Sequence, residues 1–114
     1  MARRKPHPLL DHDVPACEAL LGRAFGLLGK RWNGLVVAVL SDGPLGFAEL
    51  RRRVGTISDS VLSDRLAELA AAGLIERSVT DGRPPGVQYG LLPAGKALVP
   101  VLEQIGTWAA GHLD

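Results

Sequence analysis

One cysteine, Cys17, is present in 114 residues, so no disulfide can close within the chain. No apolar segment follows the opening "MARRK", so a secretory signal is not expected. The longest strongly apolar stretch, "GLVVAVL" at 34–40, is far too short to span a bilayer. There is no large excess of charge of either sign: the formal net charge is +1, which excludes a global basic field. Internal repeats and low-complexity tracts are absent. So are G-x-S-x-G, a phosphate-binding glycine loop and any His–carboxylate pair on a recognisable scaffold, and catalysis is therefore not expected. His7, His12 and His112 are scattered towards the ends, with no metal-ligand spacing among them or to Cys17. On these absences a soluble, cytoplasmic protein with no metal, no cofactor and no membrane partner is expected.

Apolar residues make up 46% of the chain, which excludes a disordered polymer. The length suits one domain with a modest core, part of whose stability comes from a partner subunit. Charge position carries more information than net charge. "RRK" at 3–5 and "RRR" at 51–53 hold six of the thirteen basic residues.

Residues 1–16 hold three prolines and mixed charge and read as a flexible N-terminal arm. The domain is expected at 17–113. From Cys17 to Leu28, the positions Leu20, Leu21, Ala24, Leu27 and Leu28 form the apolar stripe of a helix. "KRWNGLVVAVL" at 30–40 reads as a second, nearly buried helix that takes Trp32 into the core, and the turn signal "SDGP" stops it. "FAELRRRV" at 47–54 is a short third helix with Phe47, Leu50 and Val54 inward, ended by Gly55. Ser58 can cap the fourth, "ISDSVLSDRLAEL", in which Leu62, Leu66 and Leu69 share one face. The period then changes. "IERSVT" at 75–80, with Ile75 and Val79 on one side, and "VQYGL" at 87–91, with Val87, Tyr89 and Leu91 inward, alternate as a two-stranded hairpin around "DGRPPG". Leu98, Val101, Leu102, Ile105, Trp108 and Ala109 repeat at helical spacing in a last helix with a heptad-like seam. Pro100 lies inside that helix and is expected to kink it.

This is a mainly α chain with a small β-hairpin. A short helix, a tight turn and a second helix at about 47–72, followed by a hairpin at about 75–92, make a winged helix-turn-helix. In that arrangement the helix at 58–72 enters the major groove of duplex DNA with its N-terminal end at the bases. Ser60, Ser63 and Asp64 point away from the leucine stripe, where short polar side chains can approach base edges. Ser58 and Asp59 open the same helix, and Arg65 at its boundary can reach a phosphate or a guanine. Arg51, Arg52 and Arg53 would flank a phosphate strand, and Arg83 stands at the wing tip beside Pro84-Pro85. Arg77 is a strand surface residue that can also touch phosphate. Any exposed helix face is polar, so the order of the surrounding elements carries this assignment. The competing use of such a fold is a protein-binding module without specific DNA binding.

The segment "LLGKRWNGLVVAVLSDGPLGFAELRRRVGTISDSVLSDRLAELAAAGLIER" strongly resembles the HxlR-type winged-helix regulators of bacteria. The distal "RPPGVQYGL" and "LVPVLEQIGTWAAGHL" extend the resemblance over about residues 17–113. It implies a homodimer whose N- and C-terminal helices pack together, the latter at about 93–112, and which presents two winged helices to a pseudo-palindromic operator. On this sequence the dimer surface falls on Leu20, Leu21, Ala24, Leu102, Ile105, Trp108 and Ala109. Some members sense electrophiles or oxidants through a cysteine near the start of the first helix, which makes Cys17 a candidate redox sensor; no effector can be named. Three features depart from the pattern. Members often carry Cys-Pro nearer to "GKRW" than Cys17 stands here. Leu92 occupies the position where a capping Thr often starts the final helix. Asp59 and Asp64 make the reading helix acidic.

Overall fold

A computed structural model describes the backbone from Val14 and the side chains from Cys17 to Asp114. Residues 1–13, most of the expected arm and with it "RRK", His7 and His12, lie outside the described residues. Helix α1 spans Val14–Leu28 and so opens ahead of Cys17. Pro15 had argued for irregular chain, but in a first turn its missing N–H removes no hydrogen bond. The chain divides into two compact units, Met1–Lys30 with α1, and Arg31–Asp114 with every other element.

In the second unit, α2 spans Asn33–Val39 and continues into a 3₁₀ turn, Leu40–Asp42. Strand β1, Leu45–Gly46, leads directly into α3, Phe47–Val54. Helix α4 spans Asp59–Ala71, strands β2 and β3 span Ile75–Val79 and Val87–Leu91, and α5 spans Pro93–His112. The core joins Val36, Val37 and Leu40 to Leu50 and Val54 of α3 and to Leu62, Leu66 and Leu69 of α4. Phe47 is only half-buried.

The turn between α3 and α4 is fixed at both ends. Gly55 takes φ 112°, a conformation that disfavours any side chain, and its N–H donates to the Arg51 carbonyl at 3.1 Å. Ser58 Oγ accepts from the Val61 N–H at 3.1 Å, the cap expected from the sequence. Ile57 between them is buried and anchors the turn to the core.

Trp32 departs from the sequence expectation. It precedes α2, which begins only at Asn33, and is half-buried with the Arg31 guanidinium 4.6 Å from its ring centre. The tryptophan stays half-buried and uses its face for a cation.

The sheet has three strands in the order β1-β3-β2, all antiparallel, where the sequence suggested two. A two-residue strand is too short to show alternation, so β1 left no signal. Tyr89 in the central strand lies opposite Leu45 on one side and Arg77 on the other. Flanked on both edges, β3 is half-buried along its whole length instead of alternating. On β2 only Ile75 is buried; Val79, expected on the same inner face, is 64% exposed because it pairs with Val87 at the end of the hairpin remote from the core.

Helix α5 runs continuously through Pro100 and places Pro93 at its start, as Pro favours. Leu92 offers no side-chain cap, but its N–H donates to the Leu74 carbonyl at 2.9 Å. Gly95 allows that closeness, since a Cβ there would collide with the same carbonyl. Leu102 faces α2, 3.5 Å from where a Cβ on Gly34 would lie. Among the described residues, no helix is long and apolar enough to cross a membrane.

Candidate nucleic-acid interface

Helix α4 divides into two faces. Leu62, Leu66 and Leu69 are buried, whereas Asp59, Ser60, Ser63 and Asp64 are exposed. Ser58 is exposed too, but its hydroxyl is engaged in the cap. Arg65 is oriented differently from these. Its guanidinium Nη1 lies 3.5 Å from Glu68 Oε2, and the side chain is only 19% exposed. The other oxygen of Glu68 accepts from the Nδ2 of Asn33, a fully buried residue of α2, at 3.0 Å. Arg65 therefore belongs to a part-buried polar cluster that ties α4 to α2. The i, i+3 spacing of Arg65 and Glu68 was legible in the sequence; the third member, thirty-five positions from Glu68, was not.

Arg51, Arg52 and Arg53 are exposed along α3, and each meets a carboxylate. Arg51 Nε lies 2.6 Å from Asp59 Oδ1. Glu49 accepts from Arg52 through Nε at 3.0 Å and Nη2 at 2.6 Å, and from Arg53 Nε at 3.0 Å. The hydrogen bonds from Arg52, and next that from Arg53, hold the Glu49 carboxyl below the usual carboxylate range. The same bonds to Glu49 push the Arg52 guanidinium up. Sequence reading counted the arginines as a bare basic run and passed over Glu49, although its i, i+3 and i, i+4 spacing to Arg52 and Arg53 was the available signal.

The wing loop is clasped at its base. Thr80 Oγ1 accepts from the Gly86 N–H at 2.9 Å, and the Thr80 N–H donates to the Gly86 carbonyl at 2.7 Å. Arg83 lies exposed between these two residues, and Arg77 is exposed on β2.

Among the described residues, α5 and α1 each carry an exposed apolar face. On α5, Val101, Ile105 and Trp108 are exposed at i, i+4, i+7 spacing, Ile105 by 47% and Trp108 by 55%. Trp108 stacks on His112 with ring centres 5.9 Å apart. Ala109 and Leu102 are half-buried, Leu102 beside Gly34 of α2. On α1, Leu20, Leu21 and Phe25 are exposed, with Ala24 beside them. Phe25 was not picked out in the sequence stripe, though it follows Leu21 by one turn. Cys17 is a free, half-buried thiol on α1.

Residues 27–114 match the HxlR-like helix-turn-helix family. The HTH-type transcriptional regulator YodB of Bacillus subtilis is 44% identical over 86 residues, which are 75% of this chain and 77% of YodB. The solved reduced form of YodB superimposes with a TM-score of 0.77 at 39% identity, over 90% of this chain and 97% of that one. Quinone-bound YodB gives 0.71 at 40% identity, over 81% and 96%. The redox regulator HypR in its oxidised form gives 0.75 at 30% identity, over 83% of this chain and 98% of HypR.

Proposed function

This chain belongs to the HxlR-like helix-turn-helix family of transcriptional regulators, and from that premise we propose that it binds duplex DNA in the cytoplasm as a homodimer. Helix α4 lies in the major groove and the wing meets the backbone or the minor groove. The observation that carries this reading is the division of α4: three buried leucines lock the helix to the body, and Ser60, Ser63 and Asp64 are exposed on the other side. Short side chains leave room for base edges, and the Asp64 carboxylate can accept from a cytosine amino group. Arg51, Arg52, Arg53 and Arg83 then serve phosphates, which position the protein and carry no sequence information. Asp59 and Ser58 complete the N-terminal end of the helix, and Arg65 acts from behind it.

The exposed faces of α5 and α1 support the dimer. Val101, Ile105 and Trp108, and separately Leu20, Leu21 and Phe25, are apolar side chains that a second copy would cover. Two copies related by a twofold axis present two α4 helices to a pseudo-palindromic operator.

Cys17 is the proposed point of control. The thiolate would add to a ring carbon of a quinone, forming a C–S bond while the electron pair moves onto a quinone oxygen that takes up a proton, so that the ring ends as a hydroquinone thioether and no group leaves. Because the chain has no second cysteine, a disulfide needs a thiol of another subunit or a small thiol. The redox-named relatives YodB and HypR support this reading. The experiment for the whole proposal is footprinting on the DNA that flanks the protein's own gene, with and without diamide or a quinone. Protection of an inverted repeat that the reagent abolishes is the expected result.

A further inference from the structure

The arginines of α3 are engaged before any DNA arrives. On Arg52 the engaged edge is Nε with Nη2, one of the forks through which a guanidinium grips a phosphate with two parallel bonds. Glu49 fills that fork with both oxygens, since Nη2 lies 2.6 Å from each. It also takes Nε of Arg53. Asp59 Oδ1 pairs with Nε of Arg51. By contrast, Arg77 and Arg83 of the wing have no carboxylate at ion-pair distance among the described residues.

We propose that Glu49 is an intramolecular competitor for the DNA backbone: Arg52 offers a phosphate its Nε–Nη2 fork, and Arg53 its Nε, only by giving up the Glu49 carboxylate, so this residue tunes the sequence-independent part of the affinity. The inference rests on the DNA-binding reading above. The Arg52 side chain is 74% exposed, so the pair exchanges freely and tunes binding instead of blocking it. Breaking an exposed pair shifts an equilibrium by about twofold to fivefold. The released carboxylate, left beside a phosphate strand, adds repulsion. Both effects act equally on all sequences, because phosphate contacts do not read bases. A protein that must leave the many non-specific sites of a genome gains from such a brake.

The test measures full-length chain on a random-sequence duplex by fluorescence anisotropy, across a salt series beginning at about 50 mM. Wild type is compared with Glu49→Gln, with Arg52→Ala/Arg53→Ala, and with the triple variant. Glu49→Gln is expected to tighten binding by about threefold to tenfold and steepen the salt slope by up to about one unit. The gain is expected to vanish when both arginines are gone. A gain that persists without them would mean general repulsion and would overturn the competition. So would weaker or unchanged binding by a Glu49→Gln protein of unaltered melting temperature, since Glu49 would then position the arginines or be idle. Glu49 stands in the first turn of α3, where a carboxylate favours the helix. Should its loss unfold the protein, ¹³C NMR of the Glu49 carboxyl in the wild type decides. Its titration midpoint should rise towards the ordinary range when duplex is added, and no movement contradicts the proposal. If wild type binds no duplex at the lowest salt, the DNA-binding reading fails and the proposal falls with it. If wild type binds and Glu49→Gln changes nothing, the proposal fails alone.

Discussion

Arg51 Nε and Asp59 Oδ1 stand 2.6 Å apart, joining the last turn of α3 to the first residue of α4. The pair spans the turn of the helix-turn-helix on its outer surface, while Ile57 anchors the same turn from inside. Both partners are largely exposed, so the bond orients more than it stabilises. It directs the Asp59 carboxylate towards a side chain of its own protein, which sets Asp59 apart from Asp64 despite their shared helix.

A double-mutant cycle with Arg51→Ala and Asp59→Ala should therefore return a coupling of only about 0.2–1 kcal/mol, shrinking as salt is raised. Urea titration at two ionic strengths measures it. Asp59→Ala should leave base preference unchanged. A coupling well above this range would mean that the pair is more shielded from solvent than its exposure implies.

Gly95 is expected to tolerate no side chain. A Cβ there would strike the Leu74 carbonyl, which already accepts from Leu92, and would lie 3.1 Å from Leu91 Cδ2. Gly95→Ala should cost about 1–3 kcal/mol through overpacking, although alanine favours helix intrinsically. The urea midpoint should fall with the slope unchanged. A stabilised variant would show that the start of α5 can shift away from the sheet.

Trp108→Ala should separate the proposed dimer. Truncating a well-packed aromatic costs about 3–5 kcal/mol, a change of more than about a hundredfold in a dissociation constant. Sedimentation at micromolar concentration should find monomer, or unfolded chain if the protomer cannot stand alone. A variant that remains wholly dimeric would move the interface off this face of α5.

Most of the fold was legible because its elements obey strong local rules. Gly55 and Ser58 bracket the turn, leucines at helical spacing fix α4, and Pro93 opens α5, so these boundaries were readable within a residue or two. The elements that sequence reading missed have causes outside their own residues. Strand β1 exists because β3 offers it a free edge. Val79 alternates correctly, yet no core reaches it. Trp32 reads as core by composition but sits before the helix that would have carried it inward. At the site, exposure of Ser60, Ser63 and Asp64 followed from the leucine period. The ion pairs that occupy Arg51, Arg52 and Arg53, and the Asn33–Glu68 bond that retains Arg65, depend on which side chains meet after folding.

Cys17 gives a chemical prediction. Exposure to diamide or a quinone should lower operator affinity by at least about tenfold, or 1.4 kcal/mol. Cys17→Ser should bind DNA normally and ignore the reagent, and mass spectrometry should locate the adduct on Cys17. Unchanged binding after verified modification would leave the regulator with a different signal.

The central claim is that the outer face of α4 reads bases and the arginines hold the backbone. Selection from a randomised duplex library by wild type, Asp64→Ala and Arg83→Ala tests it most directly. Wild type should enrich an inverted repeat. Asp64→Ala should enrich a repeat altered at one base pair per half-site, corresponding to about 1–3 kcal/mol of lost discrimination. Arg83→Ala should enrich the wild-type repeat with uniformly weaker binding and a salt slope shallower by up to about one unit. Identical selected sequences for wild type and Asp64→Ala, or an altered sequence for Arg83→Ala, would contradict the account.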